Sequence, residues 1–326
     1  VEFSARVRAL SCFEQAMNES QKNFEHEART LTQDEIVRLQ GDTECVSEFR
    51  REKLEKDAKK NWDLFYKRNV DKFFRDRNWT TREFYELLEL ENRTEENHNK
   101  GDSTVDDKVL NLLEAGCGVG NFIWPLIKMG LKYNYYACDF SPVALDIVKK
   151  NELFDESFCH VFQADLSEPN DLISKLPDSG IRFHIVSLIF VLSAIHPDKM
   201  LNALKNIFDV LHDDGMLIFR DYGLYDYAML RFKPGHKLGD NFYVRQDGTR
   251  AFYFSLGKIA LGFCFRFFNS FFILSEMMKS MAEQVGFVIK SIQYVPRETV
   301  KLKEGLSVPR IFVQAKFCKT SSKEHK

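Results

Sequence analysis

A chain of 326 residues, 44% hydrophobic and 29% charged with a formal net charge of −2, is long enough to bury a substantial core, as one large domain or two ordinary ones. That balance excludes disorder throughout, and the near-zero charge excludes indiscriminate binding to phosphates while leaving room for a local basic patch. Seven scattered cysteines without a Cys-x-x-Cys pair speak for reduced thiols in a cytosolic or nuclear protein and against a structural zinc site.

Residues 1–30 lack periodicity and are expected to be a poorly ordered lead-in. At Thr32 the pattern changes. Thr32 as N-cap with Glu35 three residues on predicts a capped helix carrying Ile36, Val37 and Leu39. A second helical stretch over 44–66 ends in the aromatics Trp62, Phe65 and Tyr66. The polar run 89–107 has no apolar period and reads as a linker, so 31–107 is taken as an N-terminal helical region plus linker.

The region 108–318 then alternates short β-rich runs (109–113, 135–139, 160–165, 184–190 and 216–221) with stretches of helical spacing. Such alternation predicts an α/β fold, a parallel sheet with helices on both faces. Two further alternating runs, 288–295 and 310–317, are close enough to pair antiparallel at one edge, which makes a seven-stranded, mostly parallel sheet with one antiparallel edge strand. Residues 256–274 form an atypical apolar insertion that is nearly long enough to span a bilayer. Arg266 near its centre, with Lys258 and Asn269, makes a membrane span costly, and a buried or partner-facing helix is expected instead. A helix over 275–284 follows, and 319–326 is a polar tail.

In an open α/β sheet a ligand sits beyond the carboxyl ends of the strands. The first strand runs into Glu114-Ala115-Gly116-Cys117-Gly118-Val119-Gly120-Asn121, where glycines permit a tight turn and a close backbone approach. The spacing differs from the Gly-x-Gly-x-x-Gly of nicotinamide sites and looks like motif I of class I methyltransferases. The second strand ends in Asp139, placed to accept both ribose hydroxyls. The third ends in Asp165-Leu166, where a carboxylate can accept from an adenine amino group while a backbone amide donates to the ring. Three acidic strand ends in order behind a glycine turn point to S-adenosylmethionine. His196, before Pro197, reads as a helix cap in preference to a base, and Cys117 as a small packing residue. No Asn/Asp-Pro-Pro-aromatic tetrapeptide supports methylation of an exocyclic amine, and no Pro-Cys pair offers a thiolate for pyrimidine carbon-5.

Longer runs carry a more specific likeness: 60–69 (KNWDLFYKRN), 76–84 (DRNWTTREF), 113–121, 137–142, 189–194, 219–226 and 241–250. Together they resemble the methyltransferase-like family that forms 3-methylcytidine in transfer RNA, over roughly 32–318. The resemblance implies a class I (Rossmann-like) fold with a helical N-terminal extension, and S-adenosylmethionine converted to S-adenosylhomocysteine. The substrate it implies is cytidine 32 in the anticodon loop of serine tRNA, with seryl-tRNA synthetase as a partner; the cysteine usage and Arg266 add the expectation of a cytoplasmic and also nuclear protein without metal or membrane. Trp62 and Tyr66 would close over the cofactor, and Gly116, Gly118, Asp139, Asp165, Leu166 and Ile189 would hold it in the core.

Ring nitrogen N3 already carries a lone pair, so the reaction needs alignment and no strong base. Asp221 is the candidate to accept from the base and offset the positive charge that develops. Lys67, Arg68, Arg75, Arg77 and Arg82 beside Trp79 suit phosphate contacts with stacking, with Arg220, Tyr222 and Arg245 positioning RNA and Phe74, Tyr243 and Tyr253 as further stacking candidates. The glycine turn and strand ends alone fit a class I methyltransferase acting on a small molecule or protein equally well. An inert cofactor-binding fold also stays open.

Overall fold

The computed structural model describes residues 28–90, 110–256, 277–301 and 306–320. The lead-in up to residue 27, all of the linker but Glu89 and Leu90, all of the apolar insertion but Leu256, and the tail from 321 lie outside the described residues. Five strands form where the alternating runs predict them: β1 (Leu110–Ala115), β2 (Tyr133–Asp139), β3 (Cys159–Gln163), β4 (Phe183–Ile189) and β5 (Leu211–Tyr222). Later come the short β6 (Lys237–Gly239), β7 (Phe242–Val244) and β8 (Arg250–Phe252), then the long β9 (Val288–Lys301) and β10 (Leu306–Cys318).

The main sheet has the order β3-β2-β1-β4-β5-β10-β9. Neighbours among β1 to β5 are parallel, and β10 runs antiparallel to both β5 and β9, so the one reversed strand lies a single place in from the edge. Leu112 and Leu113, adjacent on β1 and therefore on opposite faces, are both fully buried. A central parallel strand is covered on both sides, which is why it reads as a continuous apolar run.

The helices at the start of the chain are α1 (Gln33–Gly41), α2 (Glu48–Lys56), α3 (Ala58–Asn69) and the single turn α4 (Thr80–Glu83). The capping box forms as read: Thr32 Oγ1 accepts from the Glu35 amide at 3.3 Å, and Glu35 accepts from the Thr32 amide at 2.9 Å. The stretch expected as one helix over 44–66 is broken at Asp57, so α2 and α3 are separate. Around the sheet pack α5 (Ile123–Lys128), α6 (Pro142–Val148), α7 (Asp171–Ser174), α8 (Pro197–Val210) and α9 (Met277–Val285).

On α8 the buried Met200, Ala203, Leu204, Ile207 and Val210 repeat at helical spacing, and each of them but Ala203 contributes about 1.5–3 kcal/mol on burial. His196 caps this helix, its Nδ1 accepting from the Asp198 amide at 3.3 Å, and Pro197 sits at the first position, where no donor is missed.

Contacts of α2 and α3 fix the N-terminal helices to the core, among them the following two. Phe65 and Tyr66 of α3 pack with Val119 of the glycine turn and Ala144 of α6. The entry to α2 joins the small antiparallel sheet β6-β7-β8 through the Val46 amide, which donates to the Lys237 carbonyl at 2.8 Å. Tyr243 and Tyr253, two of the stacking candidates, are almost fully buried around that small sheet, the core role that their residue type favours.

Candidate functional site

Beyond the carboxyl ends of β1 to β4 lies a cavity of about 360 Å³, within the usual range for a cofactor. Its walls include Trp62 and Tyr66 from α3, Gly116, Asp139, Phe140, Asp165, Leu166, Phe190 and Val191. Six of the eight residues predicted for the cofactor therefore meet in one place. Gly118 and Ile189 do not line it. Gly118 instead donates its amide to Asp139 Oδ2 at 2.9 Å, and Ile189 is buried in the sheet one residue short of the wall, where Phe190 stands instead.

The turn after β1 brings backbone to the cavity because Gly116 adopts φ +67°. A β-carbon there would stand 2.5 Å from Val191 Cγ1. Gly116→Ala is accordingly expected to displace Val191 and to weaken cofactor binding at least tenfold, measured by calorimetry. On the other side Trp62 and Tyr66 stack with centroids 5.7 Å apart at 29°.

Asp139 is buried, and both of its oxygens are engaged: Oδ2 by the Gly118 amide and Oδ1 by the Ser141 amide, each at 2.9 Å. A carboxylate offers about four lone-pair positions, so two remain for a pair of hydroxyls. Desolvation pushes this carboxyl up to about 6, against the two amide bonds that lower it. Asp165 Oδ1 is turned toward Ser167, accepting from its amide at 2.9 Å and its hydroxyl at 2.7 Å.

An ion-pair network that no local sequence signal announces closes one end of the cavity. Glu55 of α2 pairs with Arg250 of β8 and, at 3.3 Å, with Lys199 of α8, which also reaches Glu168 at 3.0 Å. Arg250 Nη2 further donates to the Ala194 carbonyl at 3.2 Å. Burial raises the Glu55 carboxyl, but Arg250 and Lys199 outweigh it and hold the group below the ordinary carboxylate value. Glu55, Arg250, Lys199 and Glu168 line the cavity as well, from three elements and the loop after β3, far apart in the chain.

Asp221, expected to face the substrate base, is fully buried and off the cavity wall. Its Oδ2 accepts from the Ser193 amide and its Oδ1 from the Tyr222 amide, each at 2.9 Å. Burial raises it to about 6. It holds the turn after β4 and so acts as a positioning residue.

The predicted RNA-facing set divides. Lys67, Arg68, Arg75 and Arg82 are exposed, with Arg68 3.7 Å from Asp247 and Arg82 3.5 Å from Glu83. Tyr222 and Arg245 are half-buried neighbours, the guanidinium 5.7 Å from the ring centroid. Arg77 and Arg220 are not available to phosphate. Arg77 points inward, its Nη1 3.7 Å from Glu114 Oε1, beneath the glycine turn. Desolvation raises Glu114 to about 7 even so.

Arg220, 3% exposed, lies between Trp79, 4.2 Å from its guanidinium carbon, and Phe312 at 4.9 Å. It donates to Gln314 at 3.1 Å and stands 3.7 Å from Glu83. Trp79 thus gives one face to an arginine of its own chain, and Phe74 is half-buried against Phe65 and Phe73. Cys117 is a buried packing residue whose thiol burial pushes far up, out of reach of nucleophilic use.

Among the described residues no group of three or more His, Cys, Asp or Glu side chains gathers to hold a metal, and no helix is long and apolar enough to cross a membrane.

The sequence matches a family described as a methyltransferase domain over residues 113–217. The fold is similar to the crystal structure of a SAM-dependent methyltransferase from Anabaena variabilis, with a TM-score of 0.51 at 13% identity over 80% of this chain and 94% of that one. Over 293 residues the chain is 48% identical to the tRNA N(3)-cytidine methyltransferase METTL6 of Homo sapiens, covering 90% of this chain and 91% of that protein. It is also 35% identical over 274 residues to the tRNA N(3)-methylcytidine methyltransferase Mettl2 of Drosophila melanogaster, covering 82% and 74%. With identity at that level along nearly its whole length, on a methyltransferase fold whose strand ends build a nucleoside-sized cleft, the chain belongs to the tRNA N(3)-cytidine methyltransferases.

Proposed function

We propose that this enzyme methylates N3 of cytidine 32 in the anticodon loop of serine tRNA, with S-adenosylmethionine as donor. The observation that carries the cofactor half is the cleft itself, which has the carboxylates of Asp139 and Asp165 at two adjacent strand ends and the Gly116 backbone at a third. The lone pairs left on Asp139 suit a ribose diol. Asp165 and Leu166 suit the edge of an adenine, and Trp62 and Tyr66 lie across the cleft from the sheet as a lid from α3. Residues 31–107 act in this reading as a cap on the methyltransferase domain of 108–318. S-adenosylmethionine supplies an electrophilic methyl group on a sulfonium. With Gly116, Asp139, Asp165 and Leu166 holding that donor and Trp62 and Tyr66 covering it, the protein would need only to align the N3 lone pair and exclude water, without abstracting a proton.

N3 is occupied by pairing in a stem, so the acceptor has to be unpaired or turned out of its stack, as loop bases readily are. The exposed Lys67, Arg68 and Arg75, on or just after α3, place positive charge beside the lid, and with the exposed Arg82 on α4 they suit the phosphates of such a loop. Seryl-tRNA synthetase is the partner proposed to present the tRNA, and the cytoplasm and nucleus the compartments. The test is incubation of the protein with labelled cofactor and serine tRNA, with the modified base located by mass spectrometry. A methyl group is expected on N3 of cytidine 32, lost when that base is changed to uridine and formed faster with the synthetase present. Label on another position of the tRNA, or only on protein or metabolites, would overturn the assignment.

A further inference from the structure

Two helices remote in sequence meet at the rim of the cofactor cleft. Glu55, in the last turn of α2, and Lys199, in the first turn of α8, stand 3.3 Å apart, and both line the cavity. The α8 side is a firm wall. Asn206, seven residues on from Lys199 and therefore on the same face of the helix, is 2% exposed and donates from Nδ2 to the carbonyls of Leu166 at 2.9 Å and Glu168 at 2.7 Å. Lys199 takes the same loop at its outer end, through the Glu168 carboxylate at 3.0 Å. The loop after β3, with Asp165 and Leu166 on it, is thus fixed to α8 from beneath by a buried amide and at the rim by an ammonium group.

The facing wall is held differently. Neither Glu48–Lys56 nor the joint that follows it is built into the core: α2 carries no buried residue, and it breaks from α3 at Asp57, whose side chain makes no capping hydrogen bond. Yet Lys56, Ala58, Lys59, Trp62 and Tyr66 of this segment all line the cavity. At the joint the cap is tied to the rest of the molecule by Glu55, seated between Arg250 and Lys199. Arg250 is set in place by its own neighbours, 6% exposed, donating to the Ala194 carbonyl at 3.2 Å and lying 5.6 Å from the ring centroid of Phe242. Lys199 keeps 38% of its side chain exposed and is the looser partner.

We propose that Lys199 is a positioning residue that bars the cleft: by holding Glu55 of the cap to the wall formed by α8 and the loop after β3, it keeps Trp62 and Tyr66 seated over the cofactor and sets the rate at which S-adenosylhomocysteine leaves. This rests on the reading of the cleft as the cofactor site. Trp62 and Tyr66 lie across the cleft, so release of the product needs the two walls to part, and parting them breaks the Lys199–Glu55 pair while Asn206 keeps the loop where it is. Half-exposed ion pairs are individually weak and are screened by salt, which suits a tie that has to open in every turnover.

Lys199→Met keeps the length of the stem and removes the charge. With the full chain, the dissociation rate constant of S-adenosylhomocysteine, measured by surface plasmon resonance, is expected to rise about threefold to tenfold, and Lys199→Arg should stay near wild type. In the wild type the rate should climb as salt is raised from about 0.05 to 0.5 M, and in Lys199→Met most of that climb should be gone. The route through Glu55 is read by a double substitution. Glu55→Gln is expected to speed release as well, and adding Lys199→Met to it should change the rate by less than about 1.5-fold. If Glu55→Gln does not fold, Glu55→Asp takes its place, since it draws the carboxylate back from Lys199 and keeps its charge for Arg250. Wild-type release from Lys199→Met, an undiminished salt response in that variant, or effects of the two substitutions that multiply would each overturn the bar, the last by showing that Lys199 acts on the cofactor directly. A wild-type protein that binds no S-adenosylhomocysteine would overturn the cofactor reading itself, before any variant is compared.

Discussion

Asp139→Ala is expected to weaken cofactor binding at least a hundredfold and, with it, methylation of tRNA. On the proposed reading the substitution removes the acceptor for two ribose hydroxyls, and it leaves the Gly118 and Ser141 amides without their partner, so the glycine turn beside the cleft is expected to loosen. A loss of at least a hundredfold in affinity is expected by calorimetry, since a charged acceptor with two hydrogen bonds contributes on the order of 3 kcal/mol or more. Wild-type affinity in Asp139→Ala would refute the assignment of this carboxylate.

The same residue sets a pH dependence. In the free protein its carboxyl titrates at about 6, and the ionised form is the one that accepts both hydroxyls, so affinity is expected to fall as pH drops through 6. The effect on folding has the opposite sign. Because the folded value lies above the ordinary 3.8, this group favours folding below pH 3.8, and that contribution is lost as pH rises through about 6.

Arg220→Leu is expected to destabilise the protein by about 3 kcal/mol, because it takes a desolvated cation away from Glu83 and Gln314 and opens the space between Trp79 and Phe312. In a chain of this size the melting temperature should drop by roughly 4 to 5 °C. Burial already lowers Arg220 to about 10, with Glu83 acting against that shift. A phosphate contact would behave differently: its removal would lower the salt dependence of tRNA binding by about one unit of slope and leave melting nearly unchanged. Measuring both separates the two roles, and an altered salt slope with an unaltered melting temperature would show that Arg220 reaches the RNA.

The parts of the fold that read well from the sequence are those with a local physical cause. Alternating apolar runs gave the seven strands because a strand buried on one or both faces has to carry that pattern. Thr32 and Glu35 announced α1 because a capping box is complete within four residues. Gly116, Asp139 and Asp165 were legible for a related reason: in an α/β sheet a residue at the carboxyl end of a strand is placed by the strand itself, so position along the chain translates directly into position at the cleft.

Charge was the poorer guide. Lys67, Arg75, Arg77 and Arg82 look alike as a basic cluster, yet three face water and Arg77 turns in to Glu114. Arg220 follows the same rule: a strand alternates its faces, and the face that Arg220 occupies is covered by Trp79 from α4's entry and by Phe312 from β10, one about 140 residues before it and the other about 90 after.

Local patterns in the chain thus carried the fold class, the glycine turn and the acidic strand ends, and the likeness of longer runs carried the acceptor. The rest depended on the packing of elements remote in sequence. Only the packed structure turns Asp221 from a group facing the base into the support of a turn, replaces Ile189 on the cleft wall with Phe190, and joins Glu55 to Arg250. The reason is that burial and pairing are properties of two or more segments together, and no single segment records which others will cover it.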